Sequence, residues 1–175
     1  SWQLLVNIVK DYIHQFMEPK VEIIGYSMGG GVALKMLDYP GYVKSLKLIA
    51  PYCYSKKTDN WLDNISFLEY QHQHHKTIDI LSNKYRGFTV SRVDPLYLLK
   101  EYVPMLLSDF SFNTESKIKV NCVLFEGDKV IIEHQASKAI AGLQTARIKI
   151  LPIYTHDLIG LGDEDLEMVA ASLVS

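Results

Sequence analysis

The chain has 175 residues, 48% of them hydrophobic and 22% charged, with a formal net charge of −2, which is ample apolar material for the core of one ordinary soluble domain. A near-neutral balance without a basic stripe argues against nucleic acid as a partner. No apolar run reaches the length of a membrane span, the start carries no signal-peptide pattern, and Cys53 and Cys122 are too few for a disulfide framework.

In chain order, Leu5, Ile8, Val9, Tyr12, Ile13 and Phe16 recur at helical spacing, and Pro19 closes that helix. Val21, Ile23 and Ile24 predict a short strand buried on both faces. After Ser27 the pattern turns helical as far as Leu37, and Tyr39-Pro40-Gly41 ends it. Leu46, Leu48, Ile49 and Ala50 predict a second strand, stopped by Pro51. A third strand runs from Ile118 to Phe125, where Cys122 suits a buried free thiol. A helix is expected from Ile131 to Leu143, just past Asp128. Ile148, Ile150 and Leu151 predict a fourth strand ended by Pro152, and an acid-led helix closes the chain near Asp163–Leu173. Strands alternating with helices imply crossovers and a parallel sheet, an α/β architecture.

The stretch 52–114 breaks this alternation. It carries Trp61, Phe67, Tyr70, Tyr85, Phe88 and Tyr97 among polar clusters and lacks strong strand signals. Insertions of that length serve as lids or binding elements. The expected division is therefore a core segment 1–51, a helical insertion 52–114 and a second core segment 115–175. Within the insertion, His72-Gln73-His74-His75 lacks a Cys or carboxylate partner at ligand spacing and reads as a solvated polar patch, so no metal is expected.

Chemistry concentrates at Gly25-Tyr26-Ser27-Met28-Gly29, a G-x-S-x-G run between a strand and a helix. Glycines at a helix start can also serve close packing or a phosphate site. A sharp strand-to-helix turn, however, strains its central residue, projects the Ser27 hydroxyl outward and leaves the Met28 N–H facing the same space. On this reading a Cβ at either flanking glycine, Gly25 or Gly29, collides with neighbouring backbone. Tyr26 and Met28 are candidates for site walls or core, with Tyr26 the candidate substrate-binding residue. A serine hydroxyl needs a base, and the base an orienting acid. Catalytic groups of parallel α/β sheets gather at the carboxyl ends of strands. Glu126-Gly127-Asp128 follows the third strand and Tyr154-Thr155-His156-Asp157 the fourth, in the chain order Ser, Asp, His.

These segments resemble the α/β-hydrolase family. GYSMGG is similar to its elbow, DKVIIEHQA to the segment after its acid-bearing strand, and THDLIGLGDEDLEMVAASL to its histidine loop and closing helix. The resemblance spans nearly the whole chain apart from 52–114, which stands where the family has its cap. It implies Ser27 as nucleophile, His156 as general base, Asp128 as orienting acid and the Met28 N–H as an oxyanion donor. Gly127 precedes Asp128 directly, a shorter loop than the family's, which keeps Glu126 as the alternative acid; Asp157 is a lesser one.

The resemblance further implies a serine hydrolase that cleaves a carboxylic ester or related acyl bond without metal or organic cofactor. The expected partner is a small-molecule ester or acyl substrate, and an apolar, aromatic cap suggests a medium or long acyl chain or an aromatic group. A thioesterase or acyltransferase with the same three groups, or a non-catalytic hydrolase-fold fragment, are the alternatives. Family members carry several strands before the helix with which this chain opens, so the fold is expected to lack its N-terminal strands. On that expectation the chain is the C-terminal portion of a longer, cytoplasmic protein, impaired when alone, with an open edge beside the 21–26 strand and no second oxyanion donor.

Overall fold

A computed structural model of the chain describes residues 1–15, 19–54, 105 and 108–174. The chain divides into two units, Ser1–Ser55 with Asp109–Ser175, and Lys56–Ser108. The His72–His75 run and most of the aromatic stretch expected at 52–114 lie outside the described residues.

The first unit is built around four parallel strands in the order β1-β2-β3-β4: β1 (Val21–Tyr26), β2 (Val43–Ile49), β3 (Lys119–Phe125) and β4 (Ala146–Leu151). Four helices accompany them: α1 (Trp2–Gln15), α2 (Met28–Lys35), α3 (Glu133–Ile140) and α4 (Asp163–Val174). Short 3₁₀ turns at Met36–Asp38 and Leu158–Gly160 finish α2 and lead into α4. β3 lies inside the sheet and is buried from Val120 to Phe125, so its apolar run is continuous rather than alternating. α1 turns Trp2, Val6 and Ile13 inward, as its helical spacing requires.

β1 departs from the sequence expectation, because it is not buried on both faces. Gly25 is buried on the side covered by α2, whereas Ile24 is 64% exposed. The register explains the difference. Ile24 lies level with Lys47 and, through it, with Asn121, whose side-chain amide donates to the Leu173 carbonyl of α4. α4 packs over β3 and β2, and Ile24 lies one strand beyond that cover. On the same face Glu22 accepts from Ser45 at 2.7 Å and pairs with Lys47 at 2.7 Å.

The helix expected over 131–143 is shorter, starting at Glu133. The preceding N–H groups are already engaged. Those of Val130 and Ile131 donate to Asp128 Oδ1, and that of Ile132 donates to Tyr54 Oη, so the loop is committed to another conformation before the helix can begin.

Candidate active site

At the carboxyl end of β1 the chain turns sharply into α2, and Ser27 takes φ 51° and ψ −120° at the turn. A non-glycine residue with positive φ costs on the order of 1–3 kcal/mol and persists where its surroundings over-determine it. Here the Ser27 N–H donates to the Ile49 carbonyl, and the Ser27 carbonyl accepts from the N–H groups of Gly31 and Tyr52. The turn is thus fastened to the end of β2 and to the segment after it. Tyr52 is itself held by stacking on Trp2 at 5.3 Å.

Steric demand at the turn is one-sided. A Cβ on Gly25 would lie 2.7 Å from Gly30 Cα and 2.8 Å from the Gly29 carbonyl oxygen, so no side chain fits there. A Cβ on Gly29 would meet nothing within 4 Å. The expectation that both flanking glycines are crowded therefore holds for Gly25 and fails for Gly29. The tight partner in α2 is Gly30, whose Cβ would strike Pro51 at 2.5 Å. The hydroxyl of Ser27 makes no capping bond to α2, which leaves it available for another partner.

That partner is His156. Its Nε2 lies 2.7 Å from Ser27 Oγ, and its Nδ1 lies 2.6 Å from Asp128 Oδ2. The other carboxylate oxygen of Asp128 accepts from the Val130 and Ile131 N–H groups at 2.7 and 2.8 Å. With both oxygens accepting, the consistent tautomer has Nδ1–H donating to Asp128, so that Nε2 accepts from the Ser27 hydroxyl. Asp128 and His156 are 7% and 4% exposed, while Ser27 is half-buried at the edge of solvent. A buried carboxylate–imidazole pair thus reaches the hydroxyl of a half-buried serine.

The short Gly127-Asp128 link does not move the acid away. The Gly127 N–H donates to the Ile153 carbonyl, and a Cβ on Gly127 would lie 2.7 Å from Tyr154 Cα. The loops after β3 and β4 therefore cross in van der Waals contact, and that crossing brings Asp128 under His156. Glu126 is exposed and accepts from the Tyr154 hydroxyl at 3.3 Å. The Asp157 N–H bonds Thr155 Oγ1, and its carboxylate is not the group on His156 Nδ1.

Met28 is half-buried and opens α2, where the leading N–H groups have no carbonyl within the helix. Tyr26 is half-buried, donates its hydroxyl to the His156 carbonyl and stacks its ring on the imidazole at 5.2 Å and 27°. Sequence reading marked Tyr26 without foreseeing that link. It missed Tyr54 altogether, whose phenol is pushed well up by burial and whose oxygen holds the Ile132 N–H in the acid loop. The place of Tyr54 three residues after Pro51, close behind a predicted strand, was the available signal. Among the described residues no three His, Cys, Asp or Glu side chains are grouped so as to hold a metal ion, and no helix is long and apolar enough to cross a membrane.

No family model and no curated protein matches the chain. Solved structures do. An esterase from a marine microorganism aligns over 99% of this chain and 77% of its own length, with TM-score 0.67 at 16% identity. A candidate non-heme bromoperoxidase of Mycobacterium tuberculosis H37Rv aligns over 99% and 74%, with TM-score 0.64 at 14% identity. A monoacylglycerol lipase of Paleococcus ferrophilus aligns over 99% and 74%, with TM-score 0.60 at 15% identity. The fold is the α/β-hydrolase fold, and the chain spans about three quarters of the length of these three structures.

Proposed function

We propose that the protein is a serine hydrolase that cleaves a carboxylic ester or related acyl bond through an acyl-enzyme on Ser27. The observation that carries this reading is the unbroken relay from Ser27 Oγ through the imidazole of His156 to Asp128, at 2.7 and 2.6 Å. His156 Nε2 takes the hydroxyl proton as Ser27 Oγ attacks the carbonyl carbon, and Asp128 stabilises the imidazolium that forms. The imidazolium then returns the proton to the leaving alcohol. Water, activated by the same nitrogen, releases the acid from Ser27 in the second half of the cycle. The Met28 N–H, at the start of α2, is the proposed donor to the oxyanion; one such donor contributes about 10²–10³ in kcat.

Treatment with a fluorophosphonate is expected to modify Ser27, and Ser27→Ala to abolish labelling. A folded protein that is not labelled, or is labelled elsewhere, overturns the reading. Thioester hydrolysis and acyl transfer use the same three groups. Rates on p-nitrophenyl esters of graded chain length against acyl-CoA substrates separate them.

A further inference from the structure

His156 stands on a loop, between the end of β4 and the 3₁₀ turn at Leu158–Gly160, with no helix or strand to hold its backbone. Its hydrogen bond to Asp128 fixes one end of the imidazole but does not by itself stop the ring from swinging. A swing of that kind carries Nε2 away from Ser27 Oγ. Tyr26 makes two contacts that oppose it. The tyrosine ring lies nearly parallel to the imidazole, 5.2 Å between centroids and 27° between planes, and so blocks one direction of swing. The tyrosine hydroxyl donates to the carbonyl of His156 itself, tying the loop backbone to the end of β1.

The placement of this residue in the chain gives the contacts their meaning. Tyr26 is the last residue of β1 and is bonded covalently to Ser27. Ser27 is in turn locked by its N–H to Ile49 and its carbonyl to Gly31 and Tyr52. The base, 129 residues from the nucleophile in sequence, is therefore tied to the residue adjacent to that nucleophile. We infer that Tyr26 is a positioning residue for the proposed reaction, holding His156 in line with Ser27, rather than part of the substrate pocket. This inference rests on the serine-hydrolase reading above.

The two contacts separate by mutation: Tyr26→Phe keeps the ring and removes the tether, whereas Tyr26→Leu removes both. The readouts are p-nitrophenyl ester hydrolysis and the fluorophosphonate labelling rate, each expressed per reactive serine found by titration with the same reagent. Labelling of the unmutated protein at Ser27 is established first. Its absence overturns the serine-hydrolase reading and this inference with it. Once labelling is established, kcat per reactive serine is expected to fall about tenfold in Tyr26→Phe and about a hundredfold in Tyr26→Leu, the loss that a misplacement near 1 Å produces. KM is expected to stay within about twofold, since an interaction used in the chemical step lowers kcat and kcat/KM together. A merely structural role lowers the number of reactive serines and leaves the rate of each unchanged. That result overturns the inference, as does a raised KM with kcat preserved, which returns Tyr26 to the substrate wall. If Tyr26→Leu does not fold, Tyr26→Phe alone decides, and an unchanged kcat in it is the contrary result.

Discussion

Replacing each flanking glycine of the Ser27 turn by alanine puts the steric reading to a matched test, because both substitutions add one methyl group two residues from the same serine. At Gly25 that methyl lies 2.7–2.9 Å from three backbone atoms of Gly29 and Gly30. Backbone of a helix cannot step aside as a flexible side chain can. To restore ordinary contact near 3.5 Å, the first turn of α2 must retreat by roughly 0.7 Å, carrying Met28 with it and straining the turn at Ser27. Overpacking of this type costs about 1–3 kcal/mol. For a chain of this size each kcal/mol lowers Tm by about 2–4 °C, so Gly25→Ala is expected to melt several degrees lower. Its esterase rate is expected to fall by about two orders of magnitude, because a displacement near 1 Å at the reacting atoms has that effect. Gly29→Ala adds its methyl to open space within a helical segment. Alanine is favoured over glycine there by up to about 1 kcal/mol, so Tm is expected to hold or rise and the rate to remain within a few-fold. Thermal denaturation and initial rates on one p-nitrophenyl ester suffice. Equal losses in the two variants, or an unperturbed Gly25→Ala, would refute the steric argument.

The acid is tested by pairing Asp128→Asn with Glu126→Gln. With the amide oxygen of Asn at 128 accepting from the Val130 and Ile131 N–H groups, its NH2 faces His156 Nδ1 and cannot accept the Nδ1 proton, and kcat is expected to fall by about 10⁴. Glu126→Gln is expected to stay near the unmutated rate, since its carboxylate meets the Tyr154 hydroxyl; the opposite ranking reassigns the acid. Thiol reactivity tests the core. Burial pushes the Cys53 thiol up to about 12 and that of Cys122 well above the ordinary range. Raised values mean that the neutral thiol persists as pH rises through 8 and 9, and the thiolate is the reactive form. Iodoacetamide at pH 8 is therefore expected to leave both cysteines unmodified in the folded protein and to alkylate both in denaturant. Rapid alkylation of the folded protein would contradict the burial.

What could be read without coordinates was whatever short-range pattern encodes. Leu46, Leu48, Ile49 and Ala50 before Pro51, and Ile148, Ile150 and Leu151 before Pro152, mark β2 and β4, and the switch from strand to helix period isolates Ser27 between glycines. Those signals are local, because strand and helix periodicity act over a few residues. They also order the strand ends, which is why Asp128 and His156 could be named as candidates. Which acid reaches the imidazole was not local. Glu126 and Asp128 stand two residues apart at the same strand end, and the choice is made by the crossing of Gly127 against Tyr154. The exposure of Ile24 was likewise invisible, since it depends on how far α4, more than 130 residues away, extends across the sheet. Gly29 looked as constrained as Gly25 because the motif is symmetrical, but the helix axis is not, and α2 brings Gly30 rather than Gly29 against the core. The tie from Tyr26 to His156 belongs with these. Sequence alone set the strands, the turn and the candidate chemical groups, because each is specified by neighbours along the chain. Only tertiary structure decided their pairings and exposures, because those depend on distances between segments that local pattern does not encode.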